Sequence, residues 1–149
     1  MEQAVKIVLP RHRENQVDAD VLHELQDVQS YFDKENIDLG DSELVFVPLK
    51  GIYRHITRKM TMVGVWINHS PHDVMAIQCR LKLQFRNTPA RIAEVHLRLP
   101  DEFVGKLQPE EGLLLHVDIP VQGLQEDRTF EQSEITGELS DVELKYLKT

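Results

Sequence analysis

The densest group of chemically capable side chains is His69-Ser70-Pro71-His72-Asp73. Two imidazoles and a carboxylate are three of the four groups a tetrahedral zinc site needs. No second Cys or His pair at ligand spacing completes such a site, and Pro71 follows Asn68 in a turn-forming cluster. We expect a solvated turn here, with a metal-dependent enzyme using His69, His72 and Asp73 as an alternative reading. Nucleophilic chemistry finds no better footing. Cys79 falls at an inward strand position, where a thiol is an inert core group. Ser30, Ser42, Ser70, Ser133 and Ser140 have no nucleophile-elbow context. Glu110 and Glu111 lie within Pro-Glu-Glu-Gly, which reads as a hairpin tip and not as an acid/base pair. His12, His23, His55 and His116 stand alone and read as surface or satisfied residues. The chain has no phosphate loop, Gly-rich dinucleotide turn or calcium loop. No catalytic residue, cofactor or metal ligand is therefore assigned.

Positive charge is the other chemistry the residues offer. Arg80, Lys82 and Arg86 share one strand face, and His96 and Arg98 share another. If those strands are neighbours, the five side chains form one basic patch, suited to an acidic partner. Between Lys50 and Arg98 there are nine Lys and Arg against Asp73 and Glu94, whereas the rest of the chain has eight against twenty-three acids. The plainer reading is that acidic ends pack beside a basic middle. A net charge of -8 excludes nucleic-acid binding by bulk charge.

These residues need elements to hold them. Val5, Ile7 and Leu9 alternate with Lys6 and Val8 in a short strand ended by Pro10, and Arg11 to Gln16 reads as a polar loop. Val21, Leu25, Val28 and Phe32 recur at helical spacing, with Asp18 or Asp20 able to cap the start. A one-sided helix over about 18–35 follows. It must lie on something. After Glu43 the pattern becomes β. Leu44 to Leu49 is apolar and broken at Pro48, Lys50-Gly51 reads as a turn, and Ile52 to Ile56 follows. Met60 to Asn68 is a run of Met, Val, Trp and Ile closed by the Asn68-His69-Ser70-Pro71 turn cluster, with Trp66 expected in the core and Gly64 marking a bulge or a close backbone approach. Ile77, Cys79, Leu81, Leu83 and Phe85 alternate with polar partners, as do the strands Ala93–Leu99 and Leu113–Ile119, which end at Pro100 and Pro120.

Short strands without intervening helices exclude a βαβ plan. We expect a mainly β chain: a two-layer antiparallel β-sandwich, immunoglobulin-like, with one N-terminal amphipathic helix. Residues 1–124 would form the single domain. The acidic segment 125–149 would be an edge strand or an arm. A chain of 149 residues can bury roughly 70% of its unfolded surface, enough for a core. The single cysteine excludes an internal disulfide. The apolar run Ile7-Val8-Leu9-Pro10 is too short for a signal peptide, and no window approaches the roughly 18 apolar residues of a membrane span. We therefore expect a cytoplasmic protein.

The order of features resembles the SLAP domain of Gram-positive bacteria, found in accessory secretion-system proteins for surface-layer assembly. Four stretches carry the resemblance: Val5–Arg11, the helix ending Val28-Gln29-Ser30-Tyr31-Phe32, the run Val63–His69, and Leu99–Phe103 with the strand reaching Ile119-Pro120. It covers roughly Val5 to Leu124. It implies a cytoplasmic, non-enzymatic accessory protein, whose partner is an export motor or an exported surface protein. Binding would use the basic face or an exposed sheet edge, with no catalytic residue to carry over. A self-associating structural protein, pairing through sheet edges into a homodimer, is the other alternative.

Overall fold

The computed structural model describes residues 5–10, 18–35 and 39–147. The Arg11–Gln16 loop and His12 lie outside them. The described chain is mainly β and has two sheets. The first runs in the order β1 (Lys6–Val8), β7 (Glu111–Gln122), β3 (Lys59–Asn68), β2 (Leu44–Arg54) and β8 (Arg128–Glu131). The two-residue β5 (Arg91–Ile92) joins the far end of β7. The second sheet is β6 (Val95–Leu99), β4 (Val74–Phe85) and β9 (Ile135–Tyr146). All pairings are antiparallel except that of β1 with β7.

One apolar core fills the space between the sheets, as a sandwich requires. Met62 and Trp66 of β3 and Leu113 and Leu115 of β7 meet Ile77, Cys79 and Leu81 of β4. A second core lies on the opposite face of the first sheet. There Val47, Val63, Val65, Ile67 and Leu114 meet Val28 and Phe32 of α1 (Ala19–Lys34). β3 is thus covered on both faces, which is why its sequence is apolar at successive positions and does not alternate. The layers run helix, sheet, sheet.

Local chemistry sets the helix and the edge beside it. Asp18 is the cap, its Oδ1 accepting the Val21 N–H at 2.9 Å. Gln29 faces β1 and acts as a substitute strand. Its Oε1 accepts the Ile7 N–H at 2.8 Å, and its Nε2 donates to the Val5 carbonyl at 2.9 Å. The short outer strand therefore leaves few unpaired backbone groups. Tyr31 donates its O–H to Gln132 Oε1 at 2.7 Å, and His116 Nε2 on β7 lies 2.9 Å from Glu24 Oε1. Among the described residues, no helix is long and apolar enough to cross a membrane.

Four expectations change. Lys50-Gly51 is not a turn. β2 passes straight through it, and the register slips by one residue between Pro48 and Lys50. The real reversal is at His55–Arg58, where Arg58 has a φ of 57°. The strand expected from Ala93 divides, because β5 pairs with β7 while β6 pairs with β4. Pro120 does not end β7. It lies at the end of the β3 pairing, opposite Lys59, and its carbonyl accepts the Ala93 N–H. A second helix, α2 (Asp101–Val104), follows Pro100, so the helix count of one is too low. The acidic segment from Gln125 supplies β8 to one sheet and β9 to the other.

Candidate functional site

The end of β3 builds the His69-Ser70-Pro71-His72-Asp73 turn around Asn68. Its Nδ2 donates to the His72 carbonyl at 2.8 Å and the Leu107 carbonyl at 2.9 Å. Its Oδ1 accepts the Ser70 N–H at 3.0 Å and the Ser70 hydroxyl at 2.7 Å. Asn68 is 0% and Ser70 3% exposed, so the expectation of a solvated turn fails for its first half. The polar side chain turns inward because four backbone and side-chain partners replace its water.

His69 Nδ1 lies 2.8 Å from Glu110 Oε1, while Glu110 Oε2 is buried without a hydrogen-bond partner. His72 is exposed, with its ring edge-on to Tyr146 at 5.7 Å. The imidazoles thus meet different partners, and His69 and His72 do not converge on Asp73. Among the described residues, no group of three or more His, Cys, Asp or Glu side chains is placed to hold a metal ion.

Cys79 is completely buried in the inter-sheet core. Burial pushes its thiol up, against a smaller opposing effect of the Trp66 indole. That contact falls short of a formed hydrogen bond, and Trp66 Nε1 has no partner. A desolvated thiol held in its neutral form is a poor nucleophile. The remaining described histidines are each engaged: His23 with Asp27 at 3.4 Å, His55 with Tyr53 at 3.0 Å, His96 with Gln78 at 3.5 Å, and His116 with Glu24.

The outer face of the second sheet gathers the cationic residues. β4 and β6 are neighbours, in a register that sets Arg80 opposite His96 and Gln78 opposite Arg98. Arg80, Lys82, His96 and Arg98 are all exposed on that face. Arg86 follows the end of β4, exposed, with its backbone N–H donating to the Glu134 carbonyl at 2.9 Å. The side chains read from alternation alone therefore lie on adjoining strands.

The sequence reading missed what lies on the other side of β4. There β9 sets Glu138 opposite Lys82, Ser140 opposite Arg80 and Glu143 opposite Gln78. Arg80 Nε reaches Asp141 Oδ2 at 3.2 Å. The face is a cationic centre with an acidic margin. Among the described residues, no ion pair or side-chain hydrogen bond engages Lys82, Arg86 or Arg98. The signal for the margin was the spacing of Glu138, Asp141 and Glu143, hidden by a break in alternation at Asp141. A groove on the same face runs between Arg98, Pro100, Glu143 and Lys145 over Ala76 and Gln78.

No protein-family model, no curated protein and no solved structure matches this chain.

Proposed function

We propose that this chain is a non-catalytic protein-binding module, an immunoglobulin-like sandwich of the SLAP kind that serves protein export or surface-layer assembly from the cytoplasm. The observation that carries the binding role is the pairing of β6 with β4. It sets His96 opposite Arg80 and Arg98 opposite Gln78, on the face that also carries Lys82, and among the described residues no ion pair or side-chain hydrogen bond engages Lys82, Arg86 or Arg98. Cations fixed on a rigid sheet and turned to water attract an acidic surface, and they do so most strongly at low salt. The export assignment rests on the resemblance alone, with an export motor or exported surface protein as the partner.

The test is an affinity capture from the native cell lysate at low and high salt, read by mass spectrometry, with wild type and an Arg80→Glu/Lys82→Glu variant. Salt-sensitive recovery of an export motor or surface-layer precursor by wild type, lost in the variant, supports the reading. Equal recovery by both proteins removes the cationic face from it. Recovery of neither class of partner removes the export role.

A further inference from the structure

The same molecule carries a surface of opposite character on its other outer layer. Between α1 and the first sheet runs a groove whose walls include Asp20, Glu24, Asp27 and Glu131 over a floor of Val28 and Leu49. Asp20, Glu24 and Asp27 follow at i, i+4 and i+7, so they line one flank of the helix. Lys50 and His23 are the cationic or ionisable groups of that rim. Over residues 18–35 the helix and its caps hold six acids against Lys34.

We propose that this acidic groove docks the cationic face of a second copy of the chain, in a head-to-tail contact. This goes beyond the binding role proposed above, since it assigns a second surface and a second occupant. Three observations carry it. The charges are complementary: Lys82, Arg86 and Arg98 have no intrachain ion pair among the described residues, and Asp20 and Asp27 are exposed. The spacings are commensurate. Acids four apart on a helix rise about 6 Å. Cations two apart on a strand rise about 6.6 Å. The two surfaces also lie on opposite outer layers, the helix on one sheet and the cationic face on the other. A contact between unlike surfaces is heterologous, so a pair of copies keeps a free groove at one end and a free cationic face at the other.

The experiment is sedimentation velocity over a concentration series at about 20 mM and about 500 mM salt, conditions that move the screening length from roughly 20 Å to a few Å. Wild type, Asp20→Lys/Asp27→Lys and Arg80→Glu/Lys82→Glu are compared, alone and as an equimolar mixture of the two variants. The expected result is wild-type mass rising with concentration to at least twice the monomer at low salt and returning to monomer at high salt. Each variant alone stays monomeric. The mixture associates again, because the intact groove of one variant meets the intact cationic face of the other.

Wild type that is monomeric throughout at low salt overturns the proposal. So does association that survives either reversal, or a mixture that stays monomeric. If a reversal variant melts early, the neutral Asp20→Asn/Asp27→Asn pair must still weaken association at least several-fold, and failure to do so counts equally against it. The two functional readings separate in the Asp20→Lys/Asp27→Lys protein. It loses self-association here while still capturing an acidic partner through its unaltered sheet face.

Discussion

Arg80 Nε lies 3.2 Å from Asp141 Oδ2, so the middle of the cationic row is tied to the acidic strand β9 that borders it. Asp141 sits where the β4–β9 register slips, with a φ of 49°. The bulge re-aims its carboxylate toward the row and also disrupts the longest strand edge of the second sheet. A bulged edge lined by Glu138, Asp141 and Glu143 resists pairing with another chain.

Replacing Asp141 with Asn should release Arg80 while keeping a residue that tolerates the left-handed backbone. An exposed pair of this kind contributes about 0–1 kcal/mol, so the urea midpoint should move little. Partner capture by the cationic face should persist to higher salt than in wild type. A drop in salt resistance would mean that Asp141 belongs to the contact.

Phe46 is held between two glycines from different sheets. A Cβ on Gly64 would stand 2.6 Å from Phe46 Cε1, and one on Gly137 would stand 2.7 Å from Cε2. The Trp66 ring packs against the same Phe46 at 4.5 Å, so the ring has little freedom to retreat. Gly137→Ala should cost about 1–3 kcal/mol by overpacking. Combined with Phe46→Leu it should cost less than the two changes added, measured as a double-mutant cycle in urea.

Asn68 should be the costliest polar residue to remove. Asn68→Ala strands the Leu107 and His72 carbonyls and the Ser70 donors, for a loss on the order of 2–4 kcal/mol. Asn68→Asp should be worse than Asn68→Ala, because a buried carboxylate would face two carbonyl oxygens in place of the lost amide donor. Chemical denaturation of the three proteins ranks them directly.

Burial, and the hydrogen bond and charge of Glu43 at its hydroxyl, push the Tyr146 phenol up from 10 to about 12. In the unfolded chain it ionises near 10. Between these values the unfolded state binds fewer protons than the folded state, so stability falls as pH rises. The contribution is complete below pH 10 and gone above about 12. Wild type should therefore exceed Tyr146→Phe in melting temperature below pH 10, with the gap closing toward pH 12. A gap independent of pH across that range would rule out this linkage. Glu43→Gln should let the phenol ionise at a lower pH than in wild type, followed by its ultraviolet absorbance.

The helix over Ala19–Lys34 and the alternating strand β4 were legible in the residues, because a period of 3.6 or 2 is a local property and each has one apolar face, whereas β7 alternates only beyond Leu115, since Leu114 packs under the helix. The sequence by itself also named the cations of the outer face. Tertiary structure decided the rest. Within β2, Leu44 and Phe46 face the inter-sheet core before the slip at Leu49, and Gly51 and Tyr53 lie on that side after it. In β9, Leu139 precedes and Leu144 follows the slip at Asp141, yet both pack on the same core. One inserted residue inverts the parity of everything beyond it, so a continuous strand reads as two fragments or as scatter. Which strand lies beside β4 is likewise set by the cores that non-local pairing encloses, and no local period records it. That is why Arg80 could be read as exposed from its own strand, while His96 on one side of it and Asp141 on the other required the fold.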